Sequence, residues 1–361
     1  MNKASATPER AGQNPDPLRR LGCVADHALL DHHTGQGHPE AAARLEAIYS
    51  VLQSDRLRGR WLPIAPRMAT PEEILRVHTL RHFRQVEQTA GQDRTHLDAD
   101  TVTSARSYEV ARLAAGAVLE SIDFVFGGHC ARAFDFIRPP GHHAEPDRAM
   151  GFCLFNNVAI GAAYALHHYG LRRILLVDFD VHHGNGTQAA FYDSPEVLFT
   201  SAHQFPLYPG TGRSEECGRN GGKGFTLNFP LPAGTDDATY THLFRSVIEP
   251  VAEQYRPELV MVSAGFDAYV DDPLSDMRVT AAGFQTMTRS LARMAEAHSA
   301  GKIIFVLEGG YHRQGLCDAT LSVLTELLGE EDHQELVWPL HERAARLIET
   351  AKRHVSAFWR V

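Results

Sequence analysis

Residues 173–186 read RILLVDFDVHHGNG: an apolar run, then nine residues of which five are ionisable or amide-bearing. The run Ile174-Leu175-Leu176-Val177 is too short and too evenly apolar for a surface helix. It reads as a strand buried on both faces of a parallel sheet. The polar residues begin where that strand ends. In open α/β sheets, ligands sit beyond the carboxyl ends of the strands. Alternation along an extended chain sends Asp178, Asp180 and His182 to one side. Two carboxylates and an imidazole converging there suit a divalent metal. A helix N-cap would account for one Asp or Asn, but not for five such residues in nine.

Outward from this stretch, strand-like and helix-like segments alternate. Further strands are expected at 22–25, 133–137, 197–201, 225–229, 258–263 and 302–307. Helices are expected at 39–52, 107–124, 156–168, 237–255, 281–299 and 315–328. A last one, 339–358, opens on a proline suited to a first helical turn. Such alternation predicts an α/β fold: one domain (21–361) with a central, mainly parallel sheet, helices on both faces and long loops at its carboxyl edge. The polar segment Met1–Arg20, with Pro8, Pro15 and Pro17, is expected to be a mobile tail.

Three more loops at strand ends are rich in Gly, Pro, His and Asp, and loops of that kind carry function. The first, Arg138-Pro-Pro-Gly-His-His-Ala144, offers adjacent imidazoles suited to acid–base work near neutral pH. An extended backbone would point His142 and His143 apart. The second, Ala264-Gly-Phe-Asp-Ala-Tyr269, puts Asp267 at the same sheet edge. With Asp180 and His182 it makes three ligands and leaves a fourth position open, as catalytic zinc sites do. The third, Glu308-Gly-Gly-Tyr-His312, lets the backbone come close to a ligand and turns Tyr311 inward. There its phenol can donate to a developing oxyanion.

Composition narrows the class. The 361 residues carry a formal net charge of −9, which argues against non-specific nucleic-acid binding. No apolar stretch approaches the roughly 18 residues that span a bilayer, and the N-terminus lacks a signal-peptide core. Five scattered cysteines without a C-x-x-C pair predict reduced thiols in a cytoplasmic protein. The 21 histidines gather at 27–38, 142–143, 167–168 and 182–183, which favours site chemistry. Nothing here sets the oligomeric state. The last helices are as suited to mediating homo-oligomer assembly as to capping the domain.

Taken together, the segments resemble the zinc-dependent histone deacetylase family, within the arginase–deacetylase superfamily. They are His38-Pro39-Glu40 with Arg44-Leu45, RPPGHHA (138–144), GFCLFNN (151–157), VDFDVHHGNGTQ (177–188), YPGTG (208–212), SAGFDAY (263–269) and LEGGY (307–311). They come in the family's order. The resemblance implies an amidohydrolase that removes acetyl or other acyl groups from lysine, with Asp180, His182 and Asp267 holding Zn2+. It makes His143 the general base, His142 its electrostatic partner, and Asp178 the residue that orients His142. Asn185 stands where some members carry aspartate; asparagine there resembles the class II branch and its bacterial amidohydrolase relatives, not class I. Tyr311 corresponds to the residue that polarises the amide carbonyl.

The resemblance also implies a narrow tunnel with Phe152 and Tyr208 flanking the acyl-lysine stem and Gly151 leaving room between them. Asp98 or Asp100, read as lying just before a helix, matches a rim aspartate or else caps that helix; a structural K+ lies near Asp178; and the loop 31–35 borders the mouth, with His32 or His33 touching substrate or else simply solvated. Leu274 stands where polyamine-specific relatives carry glutamate. It favours acyl-lysine over acetylpolyamines, although Asp271 and Asp272 offer nearby charge. A small-amide amidohydrolase and a non-catalytic acyl-ligand sensor stay open as alternatives. A binuclear manganese hydrolase is weaker, since Gly184 and Asn185 follow the histidines where another aspartate would be needed.

Overall fold

The structure, a computed structural model, describes residues 20–329, 336 and 338–361. The expected tail, apart from Arg20, lies outside the described residues. In chain order the strands are β1 (Leu21–Val24), β2 (Trp61–Pro63), β3 (Thr95–His96), β4 (Val102–Thr103), β5 (Arg132–Asp135), β6 (Ile174–Asp178), β7 (Val197–Gln204), β8 (Thr226–Leu231), β9 (Leu259–Ala264) and β10 (Ile303–Leu307). Eight of them form one sheet in the order β2-β1-β5-β10-β9-β6-β7-β8. Every neighbouring pair in it is parallel. β3 and β4 make a small antiparallel ribbon.

The α-helices are α1 (Ala43–Leu52), α2 (Pro71–Ile74), α3 (Leu80–Glu87), α4 (Ser107–Phe126), α5 (Asn157–His168), α6 (Asn185–Phe191), α7 (Asp237–Leu243), α8 (Glu249–Tyr255), α9 (Ala281–His298), α10 (Arg313–Leu327) and α11 (Glu342–Val355). β6, β7, β9 and β10 are buried at every residue, so both sheet faces are covered. Alternation within β5 shows how. Asp135 meets Ser121 of α4, while Phe134 packs on Phe266 and Phe305. Phe266 in turn meets Phe284 of α9.

Register fixes the site. Asp178 of β6 lies beside Ser263 of β9, and Ala264 beside Leu307 of β10. These strands end level, and the loops after them leave from one line. Some expectations are corrected. β2 was not foreseen, because three half-exposed residues carry no strand pattern. The span 237–255 is not one helix: a π-turn over Phe244–Ile248 separates α7 from α8. Pro250 has no N–H to give to the carbonyl four residues back, and the helix widens just before it. α1 starts at Ala43, not at Pro39. α11 starts after His341, whose Nδ1 accepts from Ala344 N, so Pro339 is not in its first turn. α11 packs on α7 and β8, and so caps its own domain.

Candidate active site

β6 delivers the first group of site residues. Past Asp178 the chain leaves the strand and turns on its own side chains. Asp180 N donates to Asp178 Oδ1 (3.1 Å) and His182 N to Asp180 Oδ1 (2.9 Å). These turns, not strand alternation, bring the three side chains together. α6 does begin at Asn185, yet no side chain caps it. Its first free N–H groups, Gly186 and Thr187, donate to the His142 carbonyl (3.0 and 3.2 Å), satisfying groups a helix start leaves unpaired.

Asp267 reaches the same point from the loop after β9. His182 Nδ1 lies 3.1 Å from both Asp180 Oδ1 and Asp267 Oδ2, and one ligand atom from each of the three falls within 4.8 Å of the others. The remaining carboxylate oxygens are held by backbone: Asp180 Oδ2 by Gly309 N and Asp267 Oδ1 by Val181 N, each 2.8 Å. Gly309 has to be glycine here, because a Cβ would overlap both carboxylates. Burial opposes charge on His182, but its bonds to Asp180 and Asp267 push it up to about 10. Burial and the neighbouring Asp180 push Asp267 up to about 7. Two buried carboxylates and an imidazole in one cluster form a donor set that fits a divalent cation of the zinc type.

The loop after β5 is not extended. Ala144 N donates to Gly141 O (3.0 Å), and this tight turn puts both imidazoles on one side, ring centroids 4.0 Å apart. Their partners differ. His142 Nδ1 meets Asp178 Oδ2 (3.0 Å), and His143 Nδ1 meets Asn185 Oδ1 (2.8 Å). Burial lowers both, but Asp180 and Asp178 outweigh it at His142 and hold that ring well above the ordinary histidine range. At His143 burial is joined by the positive potential of His142 and His182, and the ring is held well below it. Burial pushes the Asp178 carboxyl up to about 6.

Of the twelve residues assigned to catalysis, metal binding or the tunnel, eight line one pocket of about 260 Å³: His142, His143, Gly151, Phe152, His182, Tyr208, Leu274 and Tyr311. Asp178, Asp180, Asp267 and Asn185 stand directly behind it, in contact with its histidines. Tyr208 meets His143 edge-on at 5.1 Å, and Phe152 meets Tyr311 at 6.1 Å. Burial raises the Tyr311 phenol well above its usual range. Phe152 has φ 67°, a strained value for an aromatic residue. A relay secures it: Phe152 N donates to Thr101 Oγ1, and Thr101 Oγ1 donates to Asp100 Oδ1, each 3.1 Å.

Two expectations about the rim are corrected. His32 is buried against Ser107 (2.7 Å) and the exposed His33 does not line the pocket. His38 instead packs on Phe152 at 4.8 Å. Asp272 is not available to a cation. Its Oδ2 accepts from Tyr311 N (2.7 Å) and His312 N (3.1 Å), and its Oδ1 from Leu274 N (3.0 Å). Asp100 lines the pocket; Asp98 is turned to Ala99 N (2.6 Å). Both precede β4, not a helix.

The comparisons with known proteins agree with this geometry. Residues 38–327 match the histone deacetylase domain. The chain belongs to the histone deacetylase family. It is similar to a probable deacetylase of Archaeoglobus fulgidus (37% identical, covering 94% of this chain and 98% of that one). It is also similar to the histone deacetylase-like amidohydrolase of Pseudomonas aeruginosa (38%; 81% and 77%). Among solved structures it resembles the crystal structure of the HDA15 HD domain, with TM-score 0.87 at 36% identity over 94% of this chain and 95% of that one.

In this deacetylase-family site, several residues were quoted from the sequence without a role or passed over. Glu308 Oε2 accepts from Gly141 N (2.6 Å) and His142 N (3.1 Å), holding the histidine turn. Arg44 donates to the carbonyls of Gly310 and Glu308, each 2.6 Å, and lies over the Tyr311 ring at 5.0 Å. Buried Glu40 bridges Arg44 (3.1 Å) and Arg138. Burial would raise Glu40, but the two guanidiniums bring it down to about 2. A buried charge needs such partners; in the sequence these residues stood out only as members of the quoted segments.

Proposed function

We propose that the chain is a zinc-dependent amidohydrolase that removes acetyl or related acyl groups from the ε-amine of lysine. The observation that carries this reading is one pocket lined by a histidine pair with unlike partners and an inward phenol, and backed by the Asp180, His182 and Asp267 cluster. Asp180, His182 and Asp267 would hold the zinc, which when bound polarises an amide carbonyl and acidifies water. The acyl-lysine stem enters past Phe152 and Tyr208. His143, neutral and with Nδ1–H engaged by Asn185, offers Nε2 to take the proton of the attacking water. The same ring then passes it to the amine as the C–N bond breaks. His142, charged beside Asp178, stabilises negative charge growing on the carbonyl oxygen. Tyr311 donates its O–H to that oxygen, and its raised pKa keeps the proton in place near neutral pH.

Lysine is favoured over polyamines by Leu274 in the wall and by Asp272 being spent on backbone N–H groups. Structural K+ near Asp178, and zinc in preference to iron, rest on the resemblance. No helix among the described residues is long and apolar enough to cross a membrane. The test is acetate release from an acetyl-lysine peptide by zinc-reconstituted protein. The expected result is turnover that chelation abolishes and zinc restores. Absence of turnover with zinc bound, or a strong preference for acetylspermidine, would overturn the lysine reading.

A further inference from the structure

Asn185 sets a problem that an aspartate would not. A carboxylate presents an acceptor to the neighbouring imidazole whichever way it turns. An amide presents an acceptor on one side and a donor on the other. With Oδ1 toward His143, the ring carries its proton on Nδ1 and leaves Nε2 free to act as a base. With Nδ2 toward His143, the proton moves to Nε2, and the ring cannot accept one from the pocket. Something must therefore choose the orientation.

The surroundings of Asn185 Nδ2 make the choice. Glu145 Oε1 lies 2.8 Å away, and the His143 carbonyl oxygen and Met150 Sδ each 3.4 Å. All three only accept, so the amine side must face them. Glu145 is itself held on three counts. Its Oε2 receives both Nε and Nη2 of Arg148 at 3.0 Å. Its backbone N donates to the Arg148 carbonyl (3.0 Å) in an isolated bridge. Its carbonyl oxygen lies 3.0 Å from His78 Nδ1. The His78 tautomer is fixed in turn, because His78 Nε2 accepts from Asn156 N (2.8 Å) and so Nδ1 carries the proton.

We infer that Glu145, gripped by Arg148, is a positioning residue that fixes the Asn185 amide and thereby the tautomer of His143. It touches neither substrate nor metal ligand and acts through Asn185. The inference rests on His143 being the base, as proposed above. In a chain with aspartate at 185 this carboxylate would face another and serve no such purpose, so the two residues are expected to work as a pair.

The test uses the full-length, zinc-reconstituted chain with Glu145→Ala and Glu145→Gln. One readout is kcat and KM on an acetyl-lysine peptide. The other is long-range 1H–15N NMR of histidine-labelled protein, with the His143 signal assigned by its loss in His143→Ala. Wild type should show His143 protonated on Nδ1. Glu145→Ala should mix the two tautomers and lower kcat by about 10- to 100-fold, the usual effect of removing an outer partner of a working imidazole, with KM little changed. Glu145→Gln keeps one acceptor oxygen and should recover most of both signals. An unchanged His143 tautomer in Glu145→Ala, or kcat within about 2-fold of wild type where the outer-partner role requires at least 10-fold, would overturn the inference. A fully active His143→Ala protein would overturn the general-base reading instead, while the tautomer signal still answers for Glu145.

Discussion

Two histidine pairs lie within one loop's reach of each other and behave differently. His142 and His143 face the pocket with ring centroids 4.0 Å apart; His78 and His82 lie behind the same loop at 4.8 Å. All four are buried. In the rear pair the close partners are backbone groups: Glu145 O and Asn156 N for His78, Leu154 O for His82. Burial then acts without a close counter-charge. It brings His78 down to about 3, and it lowers His82 as well. In the front pair the partners are side chains of unlike charge, and the two rings are driven apart in pKa. Burial alone makes a histidine neutral; a carboxylate on one ring and an amide on the next drive the two apart, the arrangement that the proposed acid–base work needs.

The contrast can be broken at several points. His143→Ala should cost about 10³-fold in kcat, within the range for losing a general acid–base group, while thermal unfolding shifts little. Turnover on an acetyl-lysine peptide checks it. Asp178→Asn makes the partners of the front pair alike. It should bring His142 down toward His143 and lower kcat about 100-fold; the pH–rate profile should change shape as well as height. His78→Leu dissolves the rear pair, leaving Asn156 N without a partner and Glu145 O with only the long bond from Arg148 N (3.4 Å). The expected loss is about 2–3 kcal/mol of stability, read by denaturant unfolding.

The smallest effect is a slope. His78 at about 3 and His32 at about 4 sit below the ordinary value near 6.5. Between those limits the unfolded chain binds more protons than the folded one. Stability is therefore fully present above about 6.5 and falls as pH drops toward 3–4. Each such histidine contributes about 1.4 kcal/mol per pH unit. Asp178 and Asp267, raised to about 6 and 7, act the other way in the same window, so the readout is a difference: from pH 7 to 5 the unfolding midpoint of His78→Leu should fall less, or rise more, than that of wild type.

Parallel strands buried on both faces are apolar runs bounded by polar loops, so seven of the eight strands in the main sheet were legible. β2 was not, since its pairing with β1 leaves no mark on three residues. The candidate catalytic and metal-binding groups were legible because each loop follows its strand at once. The groups that hold them were not. Glu308 supports His142 from 166 residues away, and Arg44 reaches Gly310 across 266. Such pairings exist only once the sheet has aligned its carboxyl ends. Asp271 and Asp272 look alike in sequence, yet one is exposed and the other buried on three N–H groups.

That last carboxylate also acts as a mechanical rivet. By gripping Leu274, Tyr311 and His312 together, Asp272 joins one wall of the pocket to the loop that carries the phenol, and Arg44 pins the same loop from below. Wall and floor on that side are thereby tied to each other by hydrogen bonds. Leu207 and Tyr208 line the pocket from a separate loop, with Tyr208 itself 37% exposed. Give at the mouth has to come from that loop, so how readily the stem enters should follow the stiffness of residues 205–212 and not the size of residue 274 alone.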